Sequence, residues 1–278
     1  MPFWRRRGAA RSTGGCPTIP AHEPDRMNLL ADPVTLAVLV AAVVLLGMAK
    51  GGLAGVGALA TPLAALVLPP ATAAALLLPI LIVQDVISVW SFRKTWDGWI
   101  IGWMLPGAAL GILAGYVYAE RVNEAQLMAA LGAITLAFGL YRLWVERGGR
   151  IVAASRSPGW VGTIFGAVMG LTSQIAHAGG PPFQMWVTPR KLPHLTFIGT
   201  SAILFAIVNW MKVPAYLALG AFPHEVVVAA LLLMPLAIVS TLLTVRWMKA
   251  MQPERFYALI YGLMVLLGAK LLWDGLGG

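Results

Sequence analysis

Apolar runs of about 20 residues follow one another along most of this chain, and nothing else in it constrains the fold as much. They fall at about 33–49, 53–68, 71–91, 98–118, 126–144, 160–176, 182–188, 195–218, 224–246 and 254–273. A run of that length crosses a hydrocarbon core of about 30 Å as a helix, and no soluble core absorbs so many of them. Of 278 residues, 59% are hydrophobic and 11% charged, against about 25% charged in soluble domains. In lipid every backbone group must be satisfied within the protein, so the runs read as helices and the class as an all-α polytopic membrane protein. Tryptophans mark the run ends at Trp90, Trp96, Trp99, Trp144, Trp160, Trp210, Trp247 and Trp273. Indole settles at the headgroup level, and these read as interfacial anchors.

Two runs are broken by glycine at matching positions. The first break is Lys50-Gly51-Gly52-Leu53-Ala54-Gly55-Val56-Gly57, followed by Thr61-Pro62; the second is His177-Ala178-Gly179-Gly180-Pro181-Pro182. Irregular backbone at membrane depth is tolerated only where it is buried in protein or lines a wet cavity. A pair of such breaks in corresponding halves is the best sequence pointer to a transport site. The chain does repeat: Pro106 to Trp144 aligns with Pro235 to Trp273 at a constant offset of 129. The reading is a basic leader over 1–32, a first repeat over 33–144, a charged linker over 145–159 and a second repeat over 160–278.

Basic residues concentrate at Arg93-Lys94, at Arg142, Arg147, Arg150 and Arg156, and at Arg246, Lys249 and Arg255. The positive-inside bias puts 93–97, 145–158 and 247–253 in the cytoplasm. The loop 93–97 is then inside while its partner near 219–225 is outside, the mark of an inverted repeat. Each repeat is expected to be a glycine-broken helical hairpin followed by three transmembrane helices. The hairpins dip from opposite faces toward a shared midplane. This topology puts the N-terminus outside, which suits a chain starting at Met27 better than one led by Arg5, Arg6, Arg7 and Arg11.

A helix that begins inside the membrane leaves its first N–H groups unpaired, and these form an anion site with the helix dipole. Donors at Gly51, Gly52, Gly179 and Gly180 are therefore expected to converge. Glycine triplets at Gly107, Gly111 and Gly115 and at Gly162, Gly166 and Gly170 read instead as close helix packing. Polar side chains within apolar runs are costly and mark pathways or partners. Lys50 beside the first break either pairs with an anion or snorkels. His177 beside the second either donates to an anion, carries a coupled proton or bonds a neighbouring helix. Gln84, Asp85 and Asn209 lie mid-segment; Asp85 is a proton carrier or the counterion of Lys50 or Lys212. Thr61, Gln174, Thr200 and Ser201 complete the candidates, with hydroxyls bonding their own helix as the alternative.

Other classes fare poorly. No metalloprotease spacing, Walker loop, Gly-x-Ser-x-Gly elbow or kinase set is present, so no catalytic residue, metal or cofactor is expected. The single Cys16 excludes an internal disulfide framework. The net charge of +9 stands on loops and points to no nucleic acid. The partners expected are a small anion and the lipid bilayer, and a homo-oligomer is compatible with the chain.

The two breaks, the stretch Leu78-Pro79-Ile80-Leu81-Ile82-Val83-Gln84-Asp85-Val86, the continuation Phe183-Gln184, and Gly199-Thr200-Ser201-Ala202 through Asn209-Trp210-Met211-Lys212-Val213-Pro214 together resemble the TauE/SafE (sulfite exporter) permease family. The resemblance spans about residues 33 to 273, although Ala54 and Val56 interrupt the first glycine cluster. It implies an inner-membrane secondary transporter for a small organic or sulfur-containing anion such as sulfite, a sulfonate or sulfoacetate. Access would alternate by rocking of one half against the other. Two rivals remain at this stage: a proton- or cation-coupled carrier of a non-anionic solute centred on Asp85, and a membrane partner subunit that transports nothing.

Overall fold

The computed structural model describes residues 30–53, 55–149, 157–247 and 254–277. The greater part of the expected leader, Ala54, residues 150–156 of the expected linker and the 248–253 loop lie outside the described residues. Ten α-helices account for most of the rest: α1 (Pro33–Lys50), α2 (Ala60–Ala64), α3 (Pro70–Phe92), α4 (Gly98–Arg121), α5 (Glu124–Glu146), α6 (Gly159–Ala176), α7 (Gly180–Val187), α8 (His194–Ala218), α9 (His224–Trp247) and α10 (Glu254–Gly275). Among the described residues, α1, α3, α4, α5, α8 and α9 are long and apolar enough to cross a membrane. Leucine and valine side chains such as Leu110, Leu113, Leu231, Leu232 and Val239 are exposed on the outer surface, as a lipid-facing belt requires.

The helices start and stop where local chemistry directs. Asp32 caps α1 through the Thr35 amide at 2.7 Å, and that bond holds its carboxyl below the usual range. Asn123 and Gln126 form a reciprocal capping box at the start of α5. Asp97 caps α4 through the amides of Trp99 and Ile100. Proline opens α3 at Pro70, where its missing N–H costs nothing.

Glycine sets how closely the helices cross. A Cβ on Gly107 or Gly111 of α4 would strike the α6 backbone at Thr163 and Ala167, and one on Gly166 or Gly170 would strike α4 at Met104 and Ala108. The two stripes interleave, so both triplets serve close packing as expected. Gly132 and Gly139 on α5 interleave in the same way with Gly268 and Gly275 on α10. Gly47 of α1 and its C-cap Gly51 lie against Ser240 and Thr244 of α9. Further packing joins α3 to α8 and to α9, and α4 to α8.

The two broken runs do not match in form. The second arm of the first hairpin, expected over 53–68, is a 3₁₀ turn at Val56–Leu59 running into the five-residue α2. Gly57 and the pair Thr61-Pro62 leave that arm few residues with which to build a longer helix. In the second hairpin α7 is a clean helix of eight residues. Its mouth is tied shut at one end. Arg190 donates to the Ser157 carbonyl at 2.7 Å and lies over the rings of Trp186 at 4.2 Å and Trp99 at 4.7 Å.

Candidate functional site

At the first break α1 ends at Lys50, and Gly52 takes a φ of +123°. The Leu53 amide donates back to Met48 O at 3.0 Å and the Gly52 amide to Ala49 O at 3.2 Å. This is a Schellman cap, which serves the carbonyl end of a helix. The Gly51 amide donates to Gly47 O at 2.8 Å. The expectation that Gly51 and Gly52 offer free amides is therefore corrected: their N–H groups close α1. In the 3₁₀ turn, the amides of Val56 and Ala58 likewise donate locally, to Leu53 O and Gly55 O.

The second break differs in kind. His177 closes α6 in the left-handed region at φ 51°, its amide donating to Ser173 O. The chain then re-enters a helix at Gly180, with Pro181 and Pro182 in the first turn. The amides of Gly179 and Gly180 meet no backbone acceptor among the described residues. That leaves the N-terminal end of α7, with its partial positive charge, unspent.

Both breaks open onto one cavity of about 80 Å³, room for several waters or one small oxyanion. Gly55 and Gly57 reach it from the first break and His177 and Gly180 from the second. Lys50, Ser201 and Asn209 also line it, as do Ser88, Ser173 and Gln184, which are not among the site residues expected from sequence. Gly180 lies against Gly55, so the two breaks meet across this space.

Behind the wall runs a polar chain. Lys50 Nζ meets Asp85 Oδ1 at 2.5 Å, and Asn209 Nδ2 donates to Asp85 Oδ2 at 2.6 Å. Both oxygens of this buried carboxylate thus have partners. Ser88 Oγ donates to the Lys50 carbonyl at 2.6 Å. Lys212, fully buried, reaches Ser173 O and Ser173 Oγ at 3.2 Å and His177 Nδ1 at 2.7 Å. His177 Nε2 lies 2.8 Å from Ala74 O. A carbonyl only accepts, so Nε2 carries the proton and Nδ1 accepts from Lys212. Of the two counterions open to Asp85 from sequence, the fold selects Lys50; Lys212 goes to His177.

The remaining candidates, Ser201 excepted, sit off the cavity. Gln84 donates weakly to Val43 O and Ala237 O at 3.4 Å, joining α3 to α1 and α9. Thr200 accepts from the Asp97 amide at 2.9 Å and donates to Thr196 O at 2.6 Å, which ties α8 to the start of α4. Thr61 is buried within α2. Gly179 packs beneath Phe205 and Met169. Gln174 is buried facing away from this cavity, toward another. Ser201 lines the cavity while donating to Ile198 O at 2.8 Å.

The comparison with family models now bears on this arrangement. The model described as sulfite exporter TauE/SafE matches residues 39–271, a stretch that holds both breaks, the cavity and the polar chain behind it. The chain belongs to the TauE/SafE sulfite exporter family. Members of this family are multi-pass membrane transporters and not enzymes, so a small solute is what the fold handles. No curated protein and no solved structure matches the chain.

Proposed function

We propose that this TauE/SafE member is a secondary transporter of a small organic or sulfur-containing oxyanion, such as sulfite, a sulfonate or sulfoacetate, and that the anion binds in the cavity between the two breaks. One observation carries the reading: a single small cavity receives Lys50, the unspent start of α7 and the Asn209 amide together. Local charge favours the same sign of solute. Lys50 and Gly180, at the start of α7, line the same cavity, so an oxyanion arriving between them meets an ammonium and a helix N-terminus. Asp85, with both oxygens engaged, acts as the counterion that keeps Lys50 poised at the wall.

The two repeats are proposed to be inverted in the bacterial inner membrane, with 93–97, 145–158 and 247–253 cytoplasmic. What supports this is the exchange of packing partners: α4 of the first half lies on α6 of the second, as α9 of the second lies on α1 of the first. The glycines at 111 and 115 also stand 129 positions before Ser240 and Thr244, the residues at the matching contact.

The test is uptake into proteoliposomes under an imposed gradient, screened over labelled sulfite, sulfoacetate, thiosulfate and carboxylates. Saturable movement of one or more of the sulfur oxyanions is expected. Transport of cations or neutral solutes alone would defeat the proposal. A reporter fused after Gly278 is expected to be active on the periplasmic side, and cytoplasmic activity there would refute the inverted arrangement.

A further inference from the structure

A second cavity, of about 370 Å³, lies on the far side of the His177–Lys212 layer. Its relation to the first is written along three helices. On α8, Ser201, Phe205 and Asn209 face the first cavity and Tyr216 the second, with Lys212 between. On α3, Leu81 and Ser88 face the first, and Pro70, Thr72 and Ala74 the second. On α6 and its C-cap, Ser173 and His177 line the first and Gln174 the second. The separating layer is thin. His177 reaches from the first cavity to Ala74 O, on the wall of the second, through one hydrogen bond of 2.8 Å. The His177 ring stacks on Tyr216 at 6.1 Å, and Tyr216 on Phe222 at 6.1 Å.

Gln174 is the unexplained group here. It is 4% exposed. Neither end of its side-chain amide has a hydrogen-bond partner among the described residues: Oε1 is buried and unpaired, and Nε2 is left free to donate, while the backbone carbonyl accepts from the Tyr216 hydroxyl at 2.9 Å. Buried polar groups are nearly always paired, and one left open against a cavity marks a place for a ligand or water. Oε1 accepts and suits a water, whereas the two Nε2 N–H groups are the donors an oxyanion would meet; Thr72 lines the same space.

We infer that the second cavity is a second station for the same small oxyanion, with the Gln174 amide and the Thr72 hydroxyl as its donors, entered when the His177–Ala74 contact parts. The inference rests on the anion-transport reading. Among the described residues no charged side chain lines this cavity, so neutral donors alone hold the anion and the station is the weaker of the two, suited to release.

The experiment uses the full chain in oriented proteoliposomes and labelled sulfite and sulfoacetate, each varied on one face at a time. Gln174→Leu is expected to raise the half-saturating concentration about tenfold from the face served by the second cavity, the worth of one hydrogen bond to a charged group. From the other face it stays within about twofold, since that station is untouched. Gln174→Glu, close to isosteric, guards against a packing artefact. It shifts the same face further, because a carboxylate repels the anion. Thr72→Val moves that face alone, by a smaller factor. Wild-type transport that both Gln174 variants leave unchanged, or shift equally from both faces, overturns the second station and leaves the first intact. A wild type that moves neither anion overturns the transport reading and the second station together.

Discussion

The two glycine breaks share a composition and do opposite work. The first finishes a helix. Its amides fold back on Met48, Ala49 and Gly47, its glycines let α1 lie against α9, and what it gives the cavity is the ammonium of Lys50. The second begins a helix. Its prolines remove competing donors, and the amides of Gly179 and Gly180 remain without a backbone acceptor among the described residues. Glycine clusters therefore announce a site without stating its chemistry. The direction of the helix they cap decides whether backbone N–H groups or a side chain must meet an anion.

This contrast can be broken by substitution, with the largest effect expected at Lys50. Lys50→Met removes the one charge that the first break contributes, and transport of sulfite or sulfoacetate is expected to fall at least about 100-fold. It also strands Asp85, so a stability loss of about 3–5 kcal/mol should accompany it. Restoring neutrality with Asp85→Asn in the same chain should recover the melting temperature but not the transport. If it recovers both, Lys50 matters only as a counterion and the contrast fails.

Gly51→Ala comes next. Its methyl would overlap the Thr244 side chain, and overpacking of this kind costs about 1–3 kcal/mol. The expectation is a lowered melting temperature with an unchanged half-saturating concentration in the protein that folds. A shift in apparent affinity at constant stability would mean that the first break holds the substrate through its backbone after all.

Gly180→Ala is predicted to show the reverse. Its Cβ meets nothing closer than Gly55 at 3.9 Å, so the fold should accept it, yet the methyl projects at the cavity. A loss of about tenfold in transport at near-constant melting temperature is expected, comparable to one displaced hydrogen bond to an anion. The smallest effect calibrates the others. Gly262→Ala, in α10 with no atom within 4 Å of the added methyl, should stabilise by about 1 kcal/mol and leave transport alone. A Gly262→Ala protein that loses transport would show that methyl groups disturb this fold at a distance.

Much of this was open to reading from sequence because the relevant physics is local. Run length specifies spanning helices, and small residues at every fourth place on α4 and α6 specify a close crossing, as Gly107 and Gly170 show. Lys50, Asp85 and Asn209 stand out because charge and amide are rare at depth, and the fold joins them in one chain of contacts. The polarity of the first break was legible in principle, since Lys50 followed by glycine is the pattern of a helix end. Weighing the glycines as donors hid it. Lys212 appears from sequence only as a partner for Asp85, although 201, 205, 209, 212 and 216 share a helical face. Its true partner, His177, lies 35 positions away, beyond any periodicity. Ser88, Gln184 and the cavity behind Gln174 depend on long-range packing and leave no trace in spacing.

The interleaved glycines bear on how such a molecule can move. α4 is laced to α6, α1 rests on α9 through Gly47 and Gly51, and α5 is laced to α10, so each tight seam joins an early segment to a late one. Backbones in such intimate contact resist sliding more than ordinary side-chain interfaces do. The division that the proposed repeat draws along the chain is consequently not the division along which the protein can flex. Whatever pivots during a transport cycle is a body assembled from both, and a hinge is better sought at the positive-φ glycines Gly52 and Gly55 than in the linker between the proposed repeats.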